Sequence, residues 1–296
     1  MPIDTSGWER KATEISERIQ QQNTPFKTIL DPHYEAPAST VFQHYARAGD
    51  SAIWTGHYLA AEAFRYKVTA SNSALENLQR TLEGLQSLVD ITGTGLLARC
   101  LFPEDWEFAA AAIKEECRHG IRPGIVRGEK YLWVGNTSRD QYSGVFFGLG
   151  AAYDLVDNEA FRSAIRTLVT QLLEFLLKHL WTVVMPGGAL TECPGRPIST
   201  TFIGRPEQQL NFLQIGRHVN PERFTGEYKK FRSLSRNCRW RHSIRTVLTL
   251  SSIWRRSICL TWFALRRLVP AICGTTATPM AFCAMPCVTT GMHIST

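Results

Sequence analysis

The chain repeats one pattern of apolar and polar positions that is typical of paired helices. Residues 52–68 read AIWTGHYLAAEAFRYKV, and the short polar turn ASNSA separates them from LENLQRTLEGLQSLVDI at 75–91. The second segment has apolar residues every three or four positions, which is the spacing of one helical face. This part of the sequence therefore predicts two helices joined by a tight turn.

The same plan returns after about 87 residues. Residues 141–156 read QYSGVFFGLGAAYDLV, and the turn DNEA leads into FRSAIRTLVTQLLEFLLKHLW at 161–181. A third copy begins at Gln208, where VNPERF echoes the earlier VDNEAF. A fixed period with paired helices is the signature of a helical array.

The two helices of each pair differ in composition. The first is rich in Gly, Ala and aromatic residues, whereas the second is rich in Leu and carries more charge. Because small residues allow a helix to pack closely against several neighbours, we expect the first helices to form an inner layer and the second helices an outer layer. The sequence therefore predicts an all-α fold, an α/α toroid built of helical hairpins.

Through these hairpins the chain resembles the six-hairpin glycosidase-like (α/α)6 toroids over about residues 45–225. The resemblance rests on the architecture and on the contrast between inner and outer helices. It implies a ligand cleft at the end of the barrel where the inner helices begin. That fold needs six hairpins and two to three are recognisable here, so we expect a toroid that is truncated or frameshifted after the third hairpin.

The acidic residues stop at Glu227, and this divides the chain. The remaining 69 residues contain no Asp or Glu, but they hold eleven of the 33 Lys and Arg residues and five of the eight cysteines. Residues 1–227 hold 22 basic and 26 acidic side chains, a net charge of −4, although the whole chain has +7. A mildly acidic body lacks the clustered cations that bind phosphates, which argues against a nucleic-acid partner.

Three regions follow from these patterns. Residues 1–44 form an N-terminal helix and an extended segment, 45–227 form the helical-hairpin domain, and 228–296 are an anomalous basic, Cys-rich tail. The tail is either a functional basic arm or the product of a wrong reading frame. When the codons of the tail are read one nucleotide earlier, the genetic code permits a sequence that again contains acidic residues. This favours a frameshift that begins between Glu227 and about Arg239.

The sequence predicts neither a signal peptide nor a membrane span. The N-terminus is polar, and the most apolar run, 257–273, is interrupted by Arg266, Arg267 and Pro270. We therefore expect no membrane partner and, by default, a cytoplasmic location.

Two segments, 49–57 and 131–142, lie where the resemblance places the cleft. Both combine a carboxylate with aromatic residues, which suits an oligosaccharide or polysaccharide because aromatic faces stack on sugars while polar groups fix the hydroxyls. Glycoside cleavage needs two carboxyl groups flanking the bond. Asp50 and Asp140 are the candidate catalytic pair, and Asp105 and Glu107 could also reach the cleft. The candidate substrate-binding residues are Trp54, His57, Trp133, Arg139, Gln141 and Tyr142.

Each of these residues also has a structural interpretation. Asp50 or Ser51 could cap the helix that follows. Ser138 with Gln141 has the form of a capping box. Asp140 would then lie in the first turn of that helix, where the helix dipole favours an acidic residue. The aromatic residues could belong to the core, and His57 could be a packed histidine. Glu62, in the middle of a helix among alanines, could mark either an inner polar site or the solvent side.

Three functions remain compatible with the sequence. A glycoside hydrolase-like enzyme, or a fragment of one, is the leading interpretation, and a non-catalytic helical-repeat binding protein or an inactive frameshifted product are the alternatives. We expect no metal and no cofactor, because there is no dinucleotide fingerprint and Cys117 with His119 lacks a second ligand pair. The oligomeric state stays open.

Resequencing the DNA across codons 225–245 tests the interpretation of the tail. The expected result is an inserted or deleted nucleotide that restores acidic residues downstream of Glu227. An intact frame, together with a tail peptide detected by mass spectrometry, would contradict it.

Overall fold

The computed structural model describes residues 6–36, 39–188 and 200–237, and within these ranges it contains eight α-helices and five short β-strands. The helices are α1 Ser6–Arg18, α2 Ser51–Thr69, α3 Asn72–Asp90, α4 Ala109–Glu116, α5 Arg139–Leu155, α6 Glu159–Lys178, α7 Pro206–Val219 and α8 Pro221–Asn237. The strands are β1 Asp31–Tyr34, β2 Phe42–Ala46, β3 Cys100–Pro103, β4 Ile121–Val126 and β5 Glu129–Val134. The anomalous tail lies outside the described residues from position 238 onward.

The prediction of an all-α toroid is wrong, because the hairpins are joined to two antiparallel sheets. Strands β1 and β2 form a two-stranded sheet, and the second sheet has the order β3-β5-β4. A two-residue turn connects β4 to β5, and both of its residues have positive φ, 53° at Arg127 and 84° at Gly128. Turns of this kind match the twist of a hairpin. Pro123 is tolerated in β4 because β4 is an edge strand.

The three helical hairpins themselves are present. Helix α2 pairs with α3, α5 with α6, and α7 with α8, each across a turn of one to three residues. The α5–α6 turn is closed by Asn158, whose side-chain oxygen accepts a hydrogen bond from the Phe161 amide at 3.0 Å. Such a bond satisfies one of the free N–H groups at the start of a helix. The structure therefore places three pairs of helices in sequence, with the sheets built from the segments between and before them.

Helices α2 and α5 pack backbone against backbone. A Cβ atom at Gly56 would overlap the Gly144 carbonyl oxygen, and a Cβ atom at Gly148 would overlap the Gly56 carbonyl oxygen. Only glycine permits such an approach between two helices. Helices α3 and α6 pack against α2 and α5 respectively, as well as against each other.

The main core lies between these helices. It is formed by buried aliphatic and aromatic side chains of α2, α3, α5, α6 and α7, and Trp133 of β5 joins it. A second, smaller core lies between the three-stranded sheet and α4, around Leu30, Phe102 and Val134. Glu62 faces inward and is 2% exposed. It accepts hydrogen bonds from Ser16 of α1 at 2.7 Å and from Arg65 at 2.7 Å, which attaches α1 to the hairpin domain.

No helix in the described ranges is both long enough and apolar enough to cross a membrane.

The glycine contact makes a direct prediction for stability. Gly148→Ala should destabilise the protein by about 2 kcal/mol or more, because the added methyl group meets backbone atoms that cannot rotate away. Urea denaturation followed by circular dichroism measures the change. Gly226→Ala in α8, where no atom lies within 4 Å of the new Cβ, is the matched control and should be neutral or stabilise by up to about 1 kcal/mol. Equal stability of the two variants would contradict the packing described here.

Candidate functional site

A cleft of about 1090 Å³ lies where the first helix of each hairpin begins. The N-terminal turns of α2, α5 and α7 all contribute to its wall, together with the short helical turn Cys117–His119 that follows α4. The lining residues are Ile53, His57, Arg99, Arg118, His119, Ser138, Arg139, Asp140, Ser143, Gly144, Arg205, Glu207 and Gln208.

The buried side chain of Gln141 ties α2 to α5 beside this cleft. Its Oε1 accepts a hydrogen bond from the Ile53 amide at 2.9 Å, and its Nε2 donates to Asp50 Oδ1 at 3.1 Å. The Ala52 amide donates to the Arg99 carbonyl oxygen at 2.9 Å. Two of the N–H groups at the start of α2 therefore have protein partners.

Arg99 holds the loops around the cleft together. It is 7% exposed, and its guanidinium donates to the carbonyl oxygens of Asn136 at 3.0 Å and Gly49 at 2.9 Å, and to Ser138 Oγ at 2.7 Å. A buried guanidinium is stabilised when its several N–H groups all find acceptors. The positive charge therefore remains at the wall of the cleft in a fixed orientation.

The N-terminus of α5 has no side-chain cap. The capping-box interpretation is therefore wrong in detail, because Ser138 accepts from Arg99 and Gln141 bonds across to α2 instead. Ser138, Arg139, Asp140 and Ser143 line the cleft around this helix start. The partial positive charge of a helix N-terminus is thus directed at the cleft.

His119 is a neutral imidazole in the cleft wall. Arg118 Nε donates to His119 Nε2 at 3.2 Å, and since an arginine cannot accept, the proton of the neutral imidazole lies on Nδ1. Burial, with the nearby charges of Arg99 and Arg118, lowers the pKa of His119 to about 4. The buried Nδ1 has no hydrogen-bond partner among the described residues.

Glu116 lies behind His119. Its Oε1 accepts from the Gly49 amide at 2.8 Å, and its Oε2 is 3.5 Å from His119 Nε2. Burial raises the pKa of Glu116 above its usual range, and the neighbouring Glu115 adds to the increase. Gly49 is needed at this position because a Cβ atom there would lie 2.5 Å from Glu116 Oε2.

The predicted catalytic pair is divided between two environments. Asp140 is exposed and lines the cleft. Asp50 is not among the lining residues, and its carboxylate pairs with Arg47 at 3.2 Å while accepting from Gln141. It stands at the N-cap of α2 without forming a capping bond. The structure therefore places only Asp140 of this pair in the cleft.

The predicted substrate-binding residues are divided in the same way. His57 and Arg139 line the cleft, and the His57 ring packs near Phe147 with centroids 5.4 Å apart. Trp133 and Tyr142 are 2% and 0% exposed and belong to the core, and burial raises the pKa of Tyr142. Their assignment to a sugar platform is corrected, since neither reaches the cleft surface.

The remaining candidates lie away from the cleft. Trp54 is half-buried and lies under the Arg47 guanidinium, 5.2 Å from its ring centroid. Asp105 and Glu107 are exposed on the loop before α4 and are not part of the lining. Gln141 is a bridge between helices rather than a ligand contact.

Several lining residues were missed by sequence reasoning, namely Arg99, Arg118, His119, Arg205, Glu207 and Gln208. The repeat could have identified the last three. The start of α5 reads Arg-Asp-Gln at 139–141, and the start of α7 reads Arg-Pro-Glu-Gln at 205–208. Glu207 therefore occupies in the third hairpin the place that Asp140 occupies in the second.

The chain matches no protein-family model, no curated protein and no solved structure. Its function has to follow from the chemistry of the cleft.

The protonation state of His119 can be measured directly. Nuclear magnetic resonance of the imidazole nitrogens should show a neutral ring with the proton on Nδ1 down to about pH 5, because the pKa is lowered to about 4. A ring that is protonated at pH 6 would contradict this.

The lowered pKa of His119 also makes the folding stability of the protein depend on pH in acid. Between pH 6.5 and 4 the unfolded chain binds a proton at this position and the folded chain does not, so the free energy of unfolding should decrease as the pH falls. The decrease should reach up to about 3 kcal/mol, since one pKa unit corresponds to about 1.4 kcal/mol. His119→Gln should lack this component in denaturation experiments across that range.

Proposed function

We propose that the chain is a carbohydrate-active protein, a glycoside hydrolase-like enzyme or part of one, whose ligand lies in the cleft between the N-termini of α2, α5 and α7. The observation that carries the proposal is the pair of carboxylates, Asp140 and Glu207, in equivalent first-turn positions of neighbouring hairpins at one polar cleft. Glu207 replaces Asp50 as the partner of Asp140.

Most glycoside hydrolases use two carboxyl groups to cleave the bond. One donates a proton to the leaving oxygen, and the other either attacks the anomeric carbon or activates a water molecule. Asp140 and Glu207 each stand at the start of a helix anchored by the core, which limits their movement. Such anchoring favours catalysis because acid–base groups must keep their positions relative to the bond.

The size and lining of the cleft also fit a sugar ligand. Its volume of about 1090 Å³ lies just above the usual range for ligand sites, which leaves room for an oligosaccharide. Gln208 supplies a neutral amide whose carbonyl oxygen can accept from a sugar hydroxyl, and the exposed ring of His57 offers an aromatic face.

A binding protein without catalysis is the second candidate. The core positions of Trp133 and Tyr142 favour it, because among the described residues they leave the cleft lining without the large aromatic platforms that commonly orient a sugar for cleavage. Both candidates use the same cleft and differ only in the role of the two carboxylates.

Hydrolysis and binding by the full chain distinguish the two candidates. A panel of oligosaccharides is assayed for release of reducing ends, and the same sugars are tested for binding by calorimetry. Asp140→Asn and Glu207→Gln should each lower kcat/KM by about a hundredfold or more, since acid–base catalysis contributes on that order. Both variants should still bind sugar.

The matched control is Asp157→Asn, in the turn at the other end of α5, where the aspartate is 87% exposed and pairs with Arg162. It should retain full activity. Binding without hydrolysis would favour the second candidate, and a chain that neither binds nor cleaves any sugar would contradict the proposal.

A further inference from the structure

The charge of the cleft differs from the charge of the chain around it. Four arginines line it, Arg99, Arg118, Arg139 and Arg205, against two carboxylates. Residues 1–227 as a whole carry a net charge of −4. A cleft lined by an excess of one sign focuses its electric field and attracts ligands of the opposite sign.

Three of these arginines have no carboxylate partner within the described part of the chain. Arg139 donates a hydrogen bond to the Thr201 carbonyl oxygen at 3.3 Å, and Arg118 donates one to His119. In these ranges no ion pair forms at Arg118, Arg139 or Arg205. Elsewhere in the same ranges arginines such as Arg65, which bonds to Glu62 at 2.7 Å, do pair with acids. The cleft therefore concentrates cationic side chains whose charge is not neutralised by contact with an acid.

A further group of donors faces the same space. The first turn of α5 has no side-chain cap, so its amides remain available to an anion. His119 also lines the cleft, but its Nδ1 is buried, so the side-chain donors that reach this space are those of Arg118 and Arg139.

We propose that the cleft selects a carbohydrate that carries an acidic group, and that this group binds between Arg118, Arg139 and the first turn of α5. The inference rests on the proposed function and specifies its substrate class. A carboxylate or a sulfate ester would satisfy the same donors, because both present several oxygens to a planar guanidinium.

Calorimetric titration of the full chain at constant ionic strength tests the inference. The probes are trigalacturonic acid, its neutral methyl ester and galactose 6-sulfate, and the first and third distinguish a carboxylate from a sulfate. The acidic sugar should bind about tenfold or more tightly than the neutral ester, the factor expected for one charge-assisted contact. Constant ionic strength keeps screening equal across the series.

Arg118→Gln and Arg139→Gln should each reduce this preference about tenfold, and Arg118→Lys should retain part of it because the charge is preserved. Arg118 is exposed, so its replacement should leave the fold intact, and circular dichroism checks this. Arg80→Gln is the matched control, because Arg80 is exposed on α3 and lies outside the cleft. It should keep the full preference.

Sodium sulfate separates failure of this inference from failure of the proposed function. If sulfate raises the melting temperature of the wild type but not of Arg118→Gln, while no sugar binds, the proposed function fails and the anion site stands. If sugars bind equally well whether acidic or neutral, or if the arginine variants keep the preference, the inference is overturned and the proposed function stands.

Discussion

The close contact between α2 and α5 determines where the site can form. Gly56, Gly144 and Gly148 allow the two backbones to touch, and this brings the N-terminal ends of both helices and the loops before them side by side. Gln141 can then bridge the helices, and Arg99 can hold the preceding loops. Larger residues at the three glycines would push the two helices apart and so separate the walls of the cleft. A close-packed protein interior has no free volume for the added atoms.

The cleft combines two requirements that oppose each other. Arginines and an uncapped helix start attract an anion, while Asp140 and Glu207 need to remain available for proton transfer in the proposed reaction. Clustered like charges lower stability, and proteins retain such features mainly where a ligand uses them. The burial of Arg99 beneath carbonyl oxygens shows how the fold keeps one of these charges in place.

The sequence predicts the helical pairs well because helical periodicity is local. The sheets were missed because β3, β4 and β5 contain only four to six residues, and their pairing is set by partners distant in sequence. Asp140, His57 and Arg139 could be anticipated in the cleft since they lie at or near helix starts. Arg99 and His119 could not, because loops and a short turn bring them in from between the hairpins.

A crystal structure of the full chain soaked with trigalacturonic acid would examine the central claim most directly, namely that the cleft at the start of α2, α5 and α7 is the ligand site. We expect the sugar between the first turns of α5 and α7, with a carboxylate within hydrogen-bond distance of Arg118 or Arg139. A sugar bound on the outer face of α3 or α6, with the cleft filled only by water, would contradict the account.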